Sequence, residues 1–434
     1  MNLKSSRFPQ FYKKTMDQRL AILADFADLT HEEVAALSSQ GALTLEQADK
    51  MVENAIGIYS LPLGLGLNFL INDKDYVIPL AVEEPSVIAA VSSVAKLVRG
   101  AGGFHAEATE RRMIGQVQVV NVPNLEQAAS ELAKNRDDLI KQANNAHPSL
   151  QKRGGGAVDI AVRLLNQEPK AVFPPMLVLH LLVDTQEAMG ANMVNTMVEA
   201  IAPTVAELTG GDVHLRILSN FVDECVATAH CVIPPPLLAT SEYSGEEVRD
   251  RLISAYQFAA SDIYRAVTHN KGVMNGVDAA VIASGNDWRA VEAAAHAYAA
   301  RDGHYGSMTR WTVDYDGNLC GELTLPMPVG TVGGSIKVHP IAQLTQKITG
   351  IKSARELSQL IVVVGLAQNF AAIKALVTDG IQKGHMALQA RSLAMVAGAT
   401  GSLVDIIAGQ LVASGEINSS KADSLLKEYT VKKS

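Results

Sequence analysis

Residues 112–219 change periodicity repeatedly, and that stretch limits the possible folds more than any other in the chain. Residues 115–122 alternate apolar and polar side chains as a half-buried strand does, and residues 124–145 then carry helical period and polarity. Alternation returns over 157–165, and 175–184 has strand character. Residues 188–208 read as a helix and 213–218 as a strand. That order is βαββαβ, the ferredoxin-like split arrangement. The flanks do not read as a separate unit, so the segment is expected to be inserted into a larger, helix-rich domain, giving an α+β protein.

Outside the insertion, residues 1–55 read as helices. Thr30-His31-Glu32-Glu33 and Thr44-Leu45-Glu46-Gln47 supply start signals with a carboxylate in the first turn. A turn at Asn72-Asp73-Lys74-Asp75 separates two strand-like runs, and an alanine- and valine-rich helix follows Glu83-Glu84-Pro85-Ser86. Asp316-Gly317 marks a hairpin. Three or more helices are expected after Ser353, with Gly380 and Gly384 as a hinge before a mobile C-terminal flap. The expected division is a large domain over 1–111 and 220–379, a small domain over 112–219, and the flap over 380–434.

Composition excludes several classes. The net charge of −8 and the absence of a Lys/Arg block argue against nucleic-acid binding. Cys225, Cys231 and Cys320 show neither a disulfide framework nor metal spacing, which points to reduced thiols and a cytoplasmic protein. No long uninterrupted apolar run predicts a membrane span, and no metal site is assigned.

Chemistry concentrates between Tyr264 and Ala290. Arg265, Thr268, His269, Asn270, Lys271, Asn275 and Asp278 crowd a stretch containing Gly272 and Gly276, read here as a loop followed by a strand-like apolar run over 279–283. Glycines let backbone approach a ligand, and a desolvated lysine can steady a developing negative charge. Lys271 is otherwise a surface lysine, and Asp287 a helix N-cap.

Other candidates also carry two readings. Glu83 and Glu84 suit the N-terminal end of a helix dipole, or one of them is a proton donor in an apolar setting. His385 is structural, or an acid on a hinged segment. The run Glu187-Ala188-Met189-Gly190-Ala191-Asn192 is a tight strand-to-helix turn, or a place where a pyrophosphate meets a helix N-terminus.

Together these segments resemble the 3-hydroxy-3-methylglutaryl-coenzyme A reductase family, in its soluble class II bacterial form. The resemblance rests on Glu53-Asn54-Ala55-Ile56-Gly57, Val82-Glu83-Glu84-Pro85-Ser86, Glu187 to Asn195, Thr268 to Gly276, Gly285 to Ala290 and Gly384-His385-Met386. It implies that the insertion binds the nicotinamide dinucleotide and the large domain the coenzyme A thioester. The implied reaction takes two hydrides from NAD(P)H and yields mevalonate, an isoprenoid precursor, and free CoA.

By the same resemblance Lys271 stabilises the oxyanion and Glu84 donates a proton to the aldehyde step. Asp287 tunes both, and His385 protonates the departing thiolate. Ser86, Asn220, Arg265, Thr268 and Asn275 match substrate-side positions, while Met189, Gly190, Ala191 and Asn192 match the dinucleotide contact. Some NAD-dependent members have an aspartate where His147 stands. With Lys152 and Arg153 nearby, His147 removes repulsion of a 2′-phosphate and favours NADPH over NADH. Glu187 replaces the aspartate common in the dinucleotide motif. The family's sites lie between subunits, so a homodimer or higher homo-oligomer is expected. Rival readings are a coenzyme A thioester-binding protein without redox activity and a hydrolase using Lys271 and Asp287.

Overall fold

The computed structural model describes residues 4–39, 43–168, 170–378 and 380–431, without the side chains of 335, 381–388, 430 and 431. Among them the strands are, in chain order, β1 (Leu63–Ile71), β2 (Lys74–Ala81), β3 (His105–Ala108), β4 (Arg112–Val120), β5 (Gly156–Leu165), β6 (Met176–Asp184), β7 (Asp212–Ser219), β8 (Val226–Ile233), β9 (Thr309–Val313) and β10 (Leu319–Pro326). They form a β1-β2 hairpin and two four-stranded antiparallel sheets, ordered β3-β8-β10-β9 and β5-β6-β4-β7. The result is a mixed helix-and-sheet protein.

The hairpin turns on Asn72 and Asp73, both with positive φ (48° and 61°), which is the pairing that matches strand twist. Both expected N-caps are present: Thr30 and Thr44 each form a reciprocal capping box, with Glu33 and Gln47. In the β5-β6-β4-β7 sheet, Met113, Val117 and Val119 of β4 and Leu177, Leu179, Leu181 and Val183 of β6 are buried in one core. The helices Leu125–Lys134, Arg136–Ala146 and Ala191–Thr209 contribute to the same core. One helix was expected over 124–145. The chain instead breaks at Asn135, whose side-chain amide donates to the Glu131 carbonyl at 2.8 Å and so competes with helix continuation.

A second core lies between the β3-β8-β10-β9 sheet, the hairpin and several helices. Its central rod is the helix Ala354–Val377, capped by Ser353. By length and composition this helix could cross a membrane, but two-thirds of its apolar window (67%) is buried inside the protein, as a core helix requires.

The largest departure from the sequence reading concerns residues 264–283. They are neither loop nor strand but the helix Ile263–Ala283, capped by Asp262, whose carboxylate accepts the Arg265 N–H at 2.8 Å. Its glycines serve packing. A Cβ on Gly276 would lie 2.8 Å from both the Val364 carbonyl and the Gln368 Cβ, and a Cβ on Gly365 would lie 2.8 Å from a Val277 methyl. The two helices can cross this closely only because each presents a glycine. Close packing offsets the helix penalty of about 1 kcal/mol per glycine. The run 279–283 was misread because five apolar residues do not distinguish a strand from a buried helix.

The helices Ile381–Val396, Ser402–Ser414 and Ser419–Val431 share a small core of Ala390, Ala394, Ile407, Leu411 and Ala422. Gly380 takes positive φ (78°) before the first of them. Gly384 lies inside that helix and not in a hinge before it, and His385 falls in its second turn.

Candidate active site

As a helix, Ile263–Ala283 does what a loop would not. Its 3.6-residue period puts Arg265, Thr268, Lys271, Asn275 and Asp278 along one face. The opposite side is pinned. His269 Nε2 lies 2.6 Å from Thr309 Oγ1, and the Asn270 amide donates to Tyr305 Oη at 2.9 Å and to the Gly306 carbonyl at 2.8 Å. The Met308 N–H donates back to Asn270 Oδ1 at 2.8 Å. His269 and Asn270 therefore anchor the helix to β9 and its approach rather than facing the polar stripe. Burial, with the nearby Arg265 charge, pulls the His269 pKa down to about 4.

Lys271 Nζ lies 2.5 Å from Glu84 Oε2, with the two side chains 59% and 36% exposed. An ion pair this exposed adds little to stability. Its value is positional, since it sets an ammonium against a carboxyl group at the surface. Glu84 occupies the short link between β2 and the helix Val87–Gly100. In the same link Ser86 has φ of 79°, unusual for a residue with a side chain, and its buried Oγ has no hydrogen-bond partner among the described residues. A strained residue with an unmet hydroxyl beside a charged pair fits a ligand-binding position.

Arg265 is half-buried, and burial alone lowers its pKa; no carboxylate pairs with it among the described residues. A partly desolvated, unpaired guanidinium is suited to a carboxylate ligand. Thr268 is exposed, and its hydroxyl donates to the Tyr264 carbonyl at 3.3 Å; Asn275 is half-buried. Asp287 caps the helix Trp288–Ala299, its Oδ1 accepting from the N–H groups of Arg289 (3.0 Å) and Ala290 (3.2 Å). No hydrogen bond or ion pair joins it to Lys271 or Glu84 among the described residues. Asn220 is exposed just after β7. The His385 side chain lies outside the described residues.

One feature escaped the sequence reading. Burial, and then the hydrogen bond and charge of Glu292, raise the Asp278 pKa well above the usual carboxylate range. Its buried Oδ1 meets no donor among the described residues, which suits a carboxyl that holds a proton and shares it with Glu292. Glu292 also pairs with His296 at 2.9 Å. The i, i+4 spacing of Glu292 and His296 was the available signal.

The dinucleotide candidates sit between β6 and the helix Ala191–Thr209. Gly190 is the N-cap, with φ of 94° and no side-chain cap, so no side chain occupies the amides of the first turn. A Cβ at Gly190 would come 2.3 Å from Thr185 Cγ2. The cradle is therefore built around a residue without a side chain. Asn192 is exposed beside it, while Met189 and Ala191 are half-buried, Met189 against the core of this sheet. Glu187 is explained by its reach: its Oε2 accepts from Thr331 Oγ1 at 2.8 Å and from the Ala354 N–H at 2.6 Å, closing the N-terminus of the core helix. His147 links the helices Arg136–Ala146 and Pro148–Gln151, its Nδ1 lying 3.3 Å from Ser149 Oγ, and Lys152 and Arg153 are exposed in the following turn. Among the described residues no group of three or more His, Cys, Asp or Glu could hold a metal ion.

An ammonium facing a carboxyl group can steady an oxygen that turns anionic beside a proton donor, and the comparisons with known proteins set the class as an oxidoreductase. The chain belongs to the hydroxymethylglutaryl-coenzyme A reductase family, whose model matches residues 15–390. It is 48% identical over 423 residues to the 3-hydroxy-3-methylglutaryl-coenzyme A reductase of Archaeoglobus fulgidus, covering 98% of this chain and 94% of that one. A solved 3-hydroxy-3-methylglutaryl-coenzyme A reductase from Streptococcus pneumoniae superposes with a TM-score of 0.83 at 45% identity, covering 98% of this chain and all (100%) of the other. The class II enzyme from the same organism, solved bound to NADPH in open conformations, gives 0.81 at 45% identity, covering 96% and 100%.

Proposed function

We propose that the polar face of the helix Ile263–Ala283, with Glu84 and Ser86 beside it, binds 3-hydroxy-3-methylglutaryl-CoA and directs its reduction with NADPH. The overall reaction is that of the family: two hydrides convert the thioester, by way of a hemithioacetal and mevaldehyde, to mevalonate and free CoA. The observation that carries the site assignment is the 2.5 Å approach of Lys271 Nζ to Glu84 Oε2 at the middle of that face.

The nicotinamide supplies the hydrides; the side chains control charge and protons. Lys271 holds the oxygen that becomes anionic as the acyl carbon is reduced. Glu84 hands a proton to the aldehyde oxygen, and the adjacent ammonium orients that carboxyl group. Asp287, at the N-terminus of the next helix, tunes the pair, and His385 protonates the coenzyme A thiolate. Arg265 takes the substrate carboxylate, with Ser86, Thr268, Asn275 and Asn220 completing the acyl pocket. His385 must come close for this, which motivates reading residues 380–434 as a mobile flap.

Residues 112–219 form the dinucleotide unit in this reading, with 1–111 and 220–379 as the thioester domain. The open amides after Gly190 suit a pyrophosphate. His147, Lys152 and Arg153 place no carboxylate against a 2′-phosphate, which favours NADPH. Ile56 and Tyr59, 103% and 90% exposed, lie outside any helix or strand and support a homodimer whose partner covers them. Three free cysteines suit the cytoplasm.

The test is stoichiometric. Purified protein with the thioester should oxidise two equivalents of NADPH per mevalonate, and turn over NADH less efficiently. CoA release without cofactor oxidation would point to a hydrolase. Binding without either would leave a thioester-binding protein.

A further inference from the structure

The segment that follows β10 touches both halves of the proposed site. Gly330 is gripped by Asn286: its N–H donates to Asn286 Oδ1 at 2.7 Å, and its carbonyl accepts from Asn286 Nδ2 at 3.0 Å. Asn286 is itself tied to the Lys271 helix, its own N–H donating to the Val281 carbonyl at 3.1 Å. One residue further on, the Thr331 N–H donates to the Glu187 carbonyl at 2.8 Å and its hydroxyl to Glu187 Oε2 at 2.8 Å. A Cβ on Gly330 would lie 2.7 Å from the Met189 amide nitrogen, so backbone meets backbone there.

Arg111, only 6% exposed, closes the junction. Its guanidinium donates to the carbonyls of Gln186 (2.6 Å), Ala188 (3.2 Å) and Val329. A buried cation paired, among the described residues, with carbonyls is an expensive way to pack two segments. It does, however, fix their separation in three directions.

We infer that Asn286 and Arg111 are positioning residues: through residues 329–331 they hold the Gly190 turn at a set distance from the helix that carries Lys271. The inference rests on the reading of the Gly190 turn as the dinucleotide site. Neither side chain need touch cofactor or substrate. Hydride transfer depends steeply on placement, and an error of about 1 Å is enough to cost about 10²-fold in rate.

The test uses the full-length protein and Asn286→Ala, with Asn286→Asp as the conservative variant that keeps the acceptor for the Gly330 N–H. In the absence of cofactor, amide exchange at Gly330, Thr331 and residues 186–190 should accelerate about tenfold or more in Asn286→Ala and less in Asn286→Asp. In turnover, kcat should fall about tenfold or more with KM for both substrates within about threefold. The primary isotope effect with NADPH deuterated at the transferred position should rise. Should Asn286→Ala fail to fold, Thr331→Val removes the Glu187 hydroxyl contact and should show the same pattern more weakly. Unchanged exchange at 186–190, or an unchanged kcat and isotope effect with only a lowered Tm, overturns the inference. Ala191→Trp tests the underlying reading separately. It should weaken NADPH binding about tenfold or more, and unchanged binding would remove the dinucleotide site from this turn whatever Asn286 does.

Discussion

Gly276 and Gly190 look alike in the sequence, each set among small residues beside polar ones, yet the molecule uses them for opposite reasons. Gly190 is required by its own backbone: φ of 94° turns the chain into the helix that follows it. Gly276 lies in the interior of a regular helix, and what excludes a side chain there is the Val364 carbonyl and Gln368 on another helix. The first requirement is local and is readable from a strand, a glycine and a helix in succession. The second is created by a neighbour far along the chain, and local reading turned a helix into a loop.

Four measurements sharpen or break that contrast. The largest effect belongs to the outward face of the helix. Lys271→Ala should lower turnover about 10²-fold or more, as for other lost oxyanion donors. The melting temperature should move little, because the pair with Glu84 is exposed. Near-normal turnover would detach the polar stripe from the chemistry.

The inward face should show itself in acid. The folded-state pKa of His269, about 4, lies below the value near 6.5 of an unfolded histidine, so the unfolded chain takes up the proton first. The contribution is full above about pH 6.5 and is lost as pH falls from there towards 4, an effect on the order of 3 kcal/mol. Denaturant titrations across that range, repeated on His269→Gln, should show the wild-type slope and a flatter one for the variant. Equal slopes would mean that the buried histidine is not what titrates.

Gly276→Ala should destabilise by about 1–3 kcal/mol, as overpacking does, despite the better helix propensity of alanine. Gly365→Ala should behave alike. A rise in the denaturation midpoint would show that propensity, not the helix crossing, governs the position. Gly190→Ala should cost about 1–2 kcal/mol of left-handed strain, together with the shift Thr185 must make to clear a Cβ 2.3 Å from its methyl. Its weakened NADPH binding should then exceed any effect of Gly276→Ala on the same constant.

The other errors and successes divide the same way. Thr30 with Glu33 and Thr44 with Gln47 were legible because a capping box is complete within four residues. The Asn72–Asp73 turn was legible because its backbone demands those residue types. The break at Asn135 was missed because an asparagine amide can either project into solvent or bond back to the helix, and only packing selects. In the site, Lys271 and Glu84 stood out by residue type, but their approach across much of the chain did not. In the sequence Glu187 is only a longer carboxylate in place of aspartate; Thr331 and Ala354, far along the chain, give that length its use. The Asn286–Gly330 grip had no local sign at all.

The amino-acid order alone determined the capped helix starts, the tight turns, the alternation of the strands and which chemical groups the protein carries, because each depends on a few consecutive residues. Tertiary structure decided that residues 263–283 are helical, that five polar side chains share one face, and that the Gly190 turn is tied to the Asn286 turn. The reason is that glycine's helix penalty, an arginine's burial and a carboxylate's reach are each settled by partners that only the folded chain brings into contact.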